Sequence, residues 1–575
     1  MNAMRYSTYP DYTDRLFQAI LSLIRVAMNG LGGSLILLSK KLGTQKAEAV
    51  LCYAFAGCSA VLGVIFFLLH RSGHTGAIAV GTVAVLCTLL ARQVEDFSDL
   101  LERAGNRISK AGGRLYTEDD VKTLSIPISS GKKGGAEMQM CREVDNVGKV
   151  FFSVSNQRVT KVFRFSCVLG EPVDGPALSR ALQMTVKEFP FFQVEANRGM
   201  FWYSLKKSNL TSVALPEFAP PCNQIFQKDV RGLLYDVTYS GNRINLDIFH
   251  ALTDGTGASY FLRMLVVAYL TVIRGEPVKP AALTGYFGLT APLYESDDYT
   301  RYYEKRSKRS GSRIRRAYQI KANLLPGYRN AMIKGEAQTD AILRECHNRG
   351  ITVTELLTAV YMKAIHSTMS EKDQARPVVI AIPVNLRKYY QSQTARNFFA
   401  MVNVGYDFST GSGDLTAVAA SVHLDLTEQL DSEHLQSNFS RFVALEKNRA
   451  VQHIPLSLKN AGLRFANWQS ERYVTSVFSN VGQISMPDEF ASCVKSFDFL
   501  DKTESIKLCV VSYANTMSIN FTSALADNSV IKAFFHELAE IGIDASVETG
   551  YSYHEHEYGW RPVLVPGATS LRNAQ

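Results

Sequence analysis

Residues 243–273, RINLDIFHALTDGTGASYFLRMLVVAYLTVI, contain three successive patterns that decide the fold. In the first part apolar side chains alternate with polar ones, which predicts a strand with His250 at the end of its inward-facing row. Asp254 and Gly255 follow in a turn, and the apolar run 258–273 predicts a buried helix. The sequence thus places one imidazole and one carboxylate at a junction between elements, where functional groups tend to line a cleft.

The spacing of these groups, His-x-x-x-Asp-Gly, is uncommon. The chain has 11 histidines, and with ordinary Asp and Gly frequencies the pattern is expected by chance about 0.04 times. A histidine in isolation would be interpreted as a core residue with satisfied hydrogen bonds. The predicted strand and helix around His250 favour a catalytic interpretation instead.

The rest of the C-terminal region shows the same mixture of predicted strands and helices. Strand and helix patterns alternate from about residue 145 onward, which is typical of an α/β or α+β fold. A basic segment, 301–335, divides the region into residues 146–300 and 336–565. Its cations could contact lipid headgroups or nucleotide phosphates, but a solvated crossover between two lobes is the favoured interpretation.

The motif at 250–255 resembles the signature of the chloramphenicol acetyltransferase-like acyltransferases, a superfamily that includes alcohol acetyltransferases, wax ester synthases and nonribosomal condensation domains. Further similar segments follow in the family's order within residues 146–550. They are RFSCVLGEPVD at 164–174, FPFF at 189–192, IPVNLR at 382–387 and SNVG at 479–482. The chain departs from the family at 396–399, RNFF, where many relatives have Gly-Asn after the PVNLR strand.

This resemblance implies a two-lobed fold with a tunnel between an N-lobe at 146–300 and a C-lobe at 336–565. It implies that His250 is a general base, since a neutral imidazole can take the proton of a hydroxyl or amine that attacks a thioester. Acyl-CoA would then be a co-substrate, and the resemblance implies no bound cofactor.

The resemblance also assigns roles to other residues. It implies that Asp254 holds its loop through an ion pair with Arg387, and that Gly255 permits a close backbone approach. Candidates for donors to the oxyanion or the substrate are Asn397, Ser479 and Asn480. A purely structural role for these three, as caps or turns, is an equal alternative.

The N-terminal region has a different character. Residues 49–69 carry no formal charge, and at ~1.5 Å per residue they match the ~30 Å core of a bilayer. With the uncharged run 76–91 they predict a transmembrane hairpin of two helices at 47–92, for which a buried soluble hairpin is the alternative. Flanking cations predict a multi-pass protein of the cell membrane with both ends and the catalytic part in the cytoplasm.

Two further segments flank the hairpin. Residues 1–46 contain an amphipathic helix pattern, and 15–38 could lie in the membrane interface, form a third partial span, or pack on the hairpin. Residues 93–145 lose the apolar periodicity and include SSGKKGG at 129–135, which predicts a flexible linker.

Composition excludes several other classes of function. The 575 residues carry 62 basic and 53 acidic side chains, a formal charge of +9, without a recognised nucleic-acid-binding motif. The nine cysteines include no Cys-x-x-Cys pair, so neither a zinc site nor a disulfide framework is predicted. His554 and His556 have the spacing of two metal ligands, but without further ligands a surface location is favoured and no metal is predicted.

The sequence therefore predicts a membrane-anchored acyltransferase that moves an acyl group, such as acetyl, from coenzyme A to an alcohol or amine. One alternative is a condensation-type enzyme whose donor is a thioester on a carrier protein. The other is a non-catalytic paralogue that binds a ligand in the same fold. The hairpin favours a lipid or lipophilic acceptor, while acyl length, acceptor identity and oligomeric state are left open.

Overall fold

The structure, a computed structural model, describes residues 141–228, 230–275, 295–305, 315–549, 551–556 and 559–564. The chain divides into two compact units, Met1–Ala136 and Glu137–Gln575, and every described residue lies in the second unit. The predicted amphipathic segment 1–46, the hairpin 47–92 and residues 93–140 of the predicted linker lie outside the described residues. So do residues 306–314 of the predicted basic crossover.

The described strands are β1 (Cys141–Glu143), β2 (Val162–Leu169), β3 (Val194–Arg198), β4 (Tyr203–Lys207), β5 (Leu215–Pro216), β6 (Tyr235–Ser240), β7 (Arg243–Phe249), β8 (Ala331–Gln338), β9 (Val378–Asn385), β10 (Phe399–Tyr406), β11 (Ser476–Ile484), β12 (Val494–Asp501), β13 (Ile506–Tyr513), β14 (Thr516–Ser523), β15 (Ala545–Thr549), β16 (Tyr551–His556) and β17 (Gly559–Leu564).

The described α-helices are α1 (Asn146–Val154), α2 (Gly175–Glu188), α3 (Gly255–Ile273), α4 (Asp298–Arg301), α5 (Thr339–Arg349), α6 (Val353–Ser367), α7 (Arg387–Tyr390), α8 (Leu415–Gln429), α9 (Ser432–Lys447), α10 (Arg449–Gln452), α11 (Leu456–Glu471), α12 (Asp488–Ala491) and α13 (Ser529–Glu540). Short 3-10 helices cover Pro190–Phe192 and Pro326–Tyr328.

A five-stranded sheet carries the predicted strand that leads to His250. Its order is β12-β2-β7-β6-β5, and β7 pairs antiparallel with both β2 and β6. The alternating residues Ile244, Leu246 and Ile248 of β7 are fully buried in a first hydrophobic core, which also includes residues of α2 and α3. The predicted strand is therefore present, but Asn245, Asp247 and Phe249 on its other face are buried as well.

A seven-stranded sheet forms the centre of the C-terminal half. Its order is β10-β9-β11-β13-β14-β8-β15, with β11 parallel to both β9 and β13 and the remaining neighbours antiparallel. One face of this sheet packs with α6, α8 and α13 in a second hydrophobic core. Mixed sheets with helices packed on them confirm the predicted α/β class.

The position of strand β12 differs from the predicted division of the chain into lobes at 146–300 and 336–565. It lies in the second range, yet it pairs antiparallel with β2 and completes the five-stranded sheet of the first. The rings of Phe497 and Phe499 lie 6.0 Å and 5.5 Å from the ring of Phe165, so this pairing buries them in the first core. One strand from the second range thereby belongs to the sheet of the first range.

The described ends of the two predicted connections are also structured. Strand β1 lies within the predicted linker 93–145 and pairs with β4, and β8 begins within the predicted crossover 301–335. Among the described residues, α3 alone is long and apolar enough to cross a membrane, but it is a largely buried helix of the first core.

Candidate active site

The candidate site lies where β7 ends and α3 begins. His250 follows the last residue of β7, and its backbone N–H donates to the carbonyl of Lys161 at 2.8 Å. Asp254 caps α3, because its Oδ1 accepts from the backbone N–H groups of Thr256 at 3.1 Å and Gly257 at 3.0 Å. A cap of this kind satisfies N–H groups that have no partner within the helix.

Gly257 allows the start of α3 to lie directly against a distant loop. A Cβ atom on this residue would be 2.0 Å from the carbonyl oxygen of Ala395 and 2.1 Å from Oγ1 of Thr253. A Cβ on Gly255 would lie 3.6 Å from the ring of Phe499, which is an ordinary contact. The close backbone approach predicted at Gly255 is therefore found at Gly257 instead.

Asp254 and Arg387, which the sequence resemblance paired, form a two-point ion pair. Nη1 of Arg387 donates to Oδ2 at 2.9 Å and Nη2 donates to Oδ1 at 3.0 Å, with both residues buried. Oδ2 also accepts from the backbone N–H of Phe398 at 2.9 Å. The guanidinium further donates to the carbonyls of Thr394 and Arg396 at 2.7 Å and 2.6 Å. One buried pair thus fixes α3 against residues 394–398.

Asn385, at the end of β9, reinforces this junction. Its Oδ1 accepts from Nη1 of Arg387 at 3.1 Å, and its Nδ2 donates to Oγ1 of Thr256 at 3.1 Å. The sequence resemblance included Asn385 in the IPVNLR segment without giving it a role. Its contacts make it a bridge between the arginine and the first turn of α3.

Asn397 holds the imidazole of His250. Its Nδ2 donates to the carbonyl of His250 at 3.0 Å and to Oδ2 of Asp145 at 3.1 Å. The backbone carbonyl of His250 can only accept a hydrogen bond, so the NH2 end of the Asn397 amide must face that carbonyl. The amide oxygen Oδ1 then faces the imidazole, and it accepts from Nδ1 of His250 at 3.2 Å. The proton therefore lies on Nδ1 and the lone pair on Nε2.

These contacts bear on the predicted role of Asn397. Both donors of its amide are directed at protein acceptors, so they position His250 and its support rather than an oxyanion. The structure places Asn397 beside His250, on the Nδ1 side of the imidazole.

Asp145 is a site residue that the sequence did not single out. It caps α1 by accepting from the backbone N–H of Gly148 at 2.7 Å, and its side chain is almost fully buried beside Asn397. Burial raises the pKa of Asp145, and the charge of Arg396 opposes this effect. The spacing of Asp145 before an apolar helical segment is a capping signal that could have located it.

Aromatic rings surround the imidazole of His250. The ring centroids of Phe151, Phe163 and Phe399 lie 4.4 Å, 4.9 Å and 5.7 Å from that of the histidine. Burial lowers the pKa of His250 below its usual 6.5, although the charges of Asp501 and Asp254 act in the opposite direction. The neutral imidazole needed by a base is thus the favoured form at neutral pH.

Ser479 and Asn480 lie on β11, outside this hydrogen-bonded group. Nδ2 of Asn480 donates to Oγ1 of Thr354 at 3.0 Å, and its Oδ1 accepts from the backbone N–H of Gly482 at 2.9 Å. Gly482 follows a register shift in the pairing with β13 and has φ of 87°, a value that favours glycine. Asn480 therefore stabilises a local bulge, which is the structural alternative that the sequence left open.

The described residues were searched for groups of side chains that could bind a metal ion. No group of three or more His, Cys, Asp or Glu side chains that could hold a metal ion is found in the part of the chain that the structure describes. The side chains of His554 and His556 lie outside the described set.

No protein-family model and no curated protein matches the sequence. Similar solved structures include TRI3 trichothecene 15-O-acetyltransferase from Fusarium sporotrichioides, with 12% identity, 71% of this chain and 96% of that chain covered, and a TM-score of 0.48. F. graminearum TRI101 complexed with coenzyme A and T-2 mycotoxin has 10% identity, 71% and 99% coverage, and a TM-score of 0.49. The starter condensation domain of rhizomide synthetase RzmA has 11% identity, 70% and 96% coverage, and a TM-score of 0.43. Acetyltransferases and condensation domains are classes that the sequence resemblance named.

Proposed function

We propose that this protein is a membrane-anchored acyltransferase of the two-lobed chloramphenicol acetyltransferase-like kind. It transfers an acyl group from coenzyme A to an alcohol or amine, as alcohol O-acetyltransferases do, with His250 as general base. The observation that carries the proposal is the orientation of the imidazole. Asn397 accepts from Nδ1 at 3.2 Å and leaves the Nε2 lone pair for a substrate proton.

The proposed reaction needs no covalent enzyme intermediate, because a thioester is already activated. The acceptor oxygen or nitrogen forms a bond to the thioester carbonyl carbon while its proton passes to Nε2 of His250. The carbon–sulfur bond then breaks, and the imidazolium returns the proton to the sulfur of coenzyme A. The products are an ester or amide and a free thiol. Acid–base catalysis of this kind contributes about 10²–10⁴-fold, and positioning of two bound substrates contributes much of the rest.

The other site residues support this chemistry without touching the reacting atoms. Asp145 and Asn397 orient the imidazole, and the pair of Asp254 with Arg387 fixes the turn that carries it. The phenylalanine rings around His250 shield part of the imidazole from water, which favours its neutral form and strengthens its hydrogen bonds.

Product analysis tests the proposal and its alternatives. Wild-type protein is incubated with cell extract and a panel of acyl-CoA and carrier-protein thioesters, and new esters or amides are identified by mass spectrometry. We expect products with wild type, and with the surface variant His536→Ala, whose histidine is well exposed on α13. The variant His250→Ala should lose them. Transfer only from carrier-protein thioesters would favour the condensation-type alternative, and no transfer from any donor would favour a binding paralogue.

A further inference from the structure

Helices α9 and α11 each expose large apolar side chains. On α11, Phe465 is 61% exposed and Trp468 is 48% exposed, with ring centroids 5.8 Å apart. On α9, Phe442 is 66% exposed and Leu445 is 53% exposed. The pair Phe465 and Trp468 is called the aromatic face below. Single exposed apolar residues are common, but grouped ones of this size mark interaction surfaces.

The segment that bears the aromatic face is basic. Residues 441–472 contain six Lys and Arg residues and two Glu residues. The guanidinium of Arg472 lies 3.6 Å from the centroid of the Trp468 ring, and Arg441 and Arg464 are exposed. Exposed tryptophan and phenylalanine beside arginine are typical of segments that lie at a membrane interface, where cations meet anionic headgroups.

The position of α1 connects this surface with the remainder of the chain. Helix α1 begins shortly after Cys141, the first described residue, and both α9 and α11 pack against it. Oγ of Ser153 on α1 donates to Oδ1 of Asn460 on α11 at 2.7 Å, and Lys149 on α1 pairs with Glu446 on α9. The described chain therefore begins with β1 and continues into the helix against which α11 packs.

We propose that the aromatic face docks on a lipid bilayer that contains anionic lipids. Helix α1 is the link between this surface and the chemistry, because its Phe151 lies 4.4 Å from the ring of His250. Docking brings the bilayer beside the helix that contacts the catalytic histidine. A lipophilic acceptor or acyl chain can then pass from the membrane without crossing bulk water. The inference rests on the proposed function in one respect, since it uses the proposed membrane anchoring to bring the bilayer close to the protein.

Tryptophan quenching by brominated lipids tests this docking. The chain has three tryptophans, Trp202, Trp468 and Trp560. Full-length protein is reconstituted in vesicles of phosphatidylcholine and phosphatidylserine, with and without bromine on the acyl chains. We expect quenching of wild type and at least about twofold less quenching of Trp468→Phe, because an interfacial ring contacts the brominated chains.

The control variant is Trp202→Phe, whose ring lies 3.4 Å from the ammonium of Lys459 and is not part of the aromatic face. It should leave the Trp468 contribution intact. Equal quenching of wild type and Trp468→Phe would overturn the proposal. The face would instead bind a second copy of the chain if two results are found together. The protein forms an oligomer in detergent that the double variant Phe465→Ser, Trp468→Ser dissociates, and wild type and Trp468→Phe are quenched equally. Carbonate extraction of the same vesicles tests the hairpin separately, since failure of anchoring releases the protein.

Discussion

Asn397 uses both ends of its side chain on the same histidine. The amide accepts from Nδ1 of His250 and donates to its backbone carbonyl, and a second bond to Asp145 fixes the orientation of the amide. A side chain held in this way determines both the direction of the imidazole and its tautomer. The separation of 147 residues between the partners means that this contact depends on the assembled fold.

Replacing Asn397 tests this positioning role. Asn397→Ala should lower kcat by about 10- to 100-fold, because the imidazole loses the partner that orients it, with little change in KM. The exposed turn residue in Asn515→Ala serves as control. Steady-state kinetics with an identified acyl donor supply the values, and a wild-type kcat in Asn397→Ala would contradict the role.

The pH dependence of the reaction reports on His250 itself. Burial lowers the pKa of the imidazole, so the active neutral form persists as the pH falls through 6.5. The acid limb of kcat/KM should therefore have its midpoint below the ~6.5 of a free histidine. Asn397→Asp places a carboxylate beside Nδ1, which stabilises the imidazolium and should move the midpoint upward. A midpoint above 6.5 in wild type, or a downward shift in the variant, would contradict the claim that burial lowers the pKa of His250 and that Asn397 faces its Nδ1.

At the scale of elements, helix α3 is anchored by its first turn. Asp254 serves as both the helix cap and the partner of Arg387, and Gly257 brings the backbone against Ala395. The sequence predicted the ion pair because the motif and the IPVNLR segment resemble family positions. It did not predict that Gly257, rather than Gly255, makes the close approach, because only the distance to a loop 138 residues away decides between them.

The two glycines give a matched pair of variants. Gly257→Ala should destabilise the protein by about 1–3 kcal/mol or more, as overpacking against a fixed carbonyl does. Gly255→Ala adds a methyl group in ordinary contact and should leave the stability nearly unchanged, since alanine also favours helix. Thermal unfolding of both variants distinguishes them, and equal melting temperatures would refute the contact.

Breaking the buried pair has a different signature. Asp254→Asn leaves the Arg387 charge without its counter-ion and should destabilise the fold by about 3–5 kcal/mol. Chemical denaturation measures the change in the free energy of unfolding. If the variant unfolds like wild type and retains wild-type activity, the ion pair does not hold the loop.

At the scale of the whole molecule, a strand from the C-terminal half completes the sheet of the N-terminal half, which local patterns do not reveal. Alternation of apolar residues predicted β7, because that signal is contained in seven residues, but it did not predict that both faces of the strand are buried. The pairing of β12 with β2 joins residues more than 300 positions apart, and either sheet could have accepted a strand of this pattern. The sequence marks Asp145 only as a helix cap, and its contact with the site appears only when Asn397 is brought beside it.

The proposed membrane anchoring is also a property of the whole chain. We expect the protein to remain in the membrane pellet after carbonate extraction, because two apolar helices at 47–92 would span the bilayer. A tag near residue 120 should be protected from protease added to intact cells, as cytoplasmic placement requires. A tag that is cleaved outside the cell would reverse the topology.

The central claim is that His250 acts as the general base of acyl transfer. Once an acyl donor and acceptor are identified, the most direct measurement is kcat/KM of purified His250→Ala against wild type and the surface variant His536→Ala. We predict a loss of about 10²–10⁴-fold in His250→Ala, with His536→Ala close to wild type and all three proteins equally folded. A folded His250→Ala variant with the wild-type kcat/KM would contradict the claim.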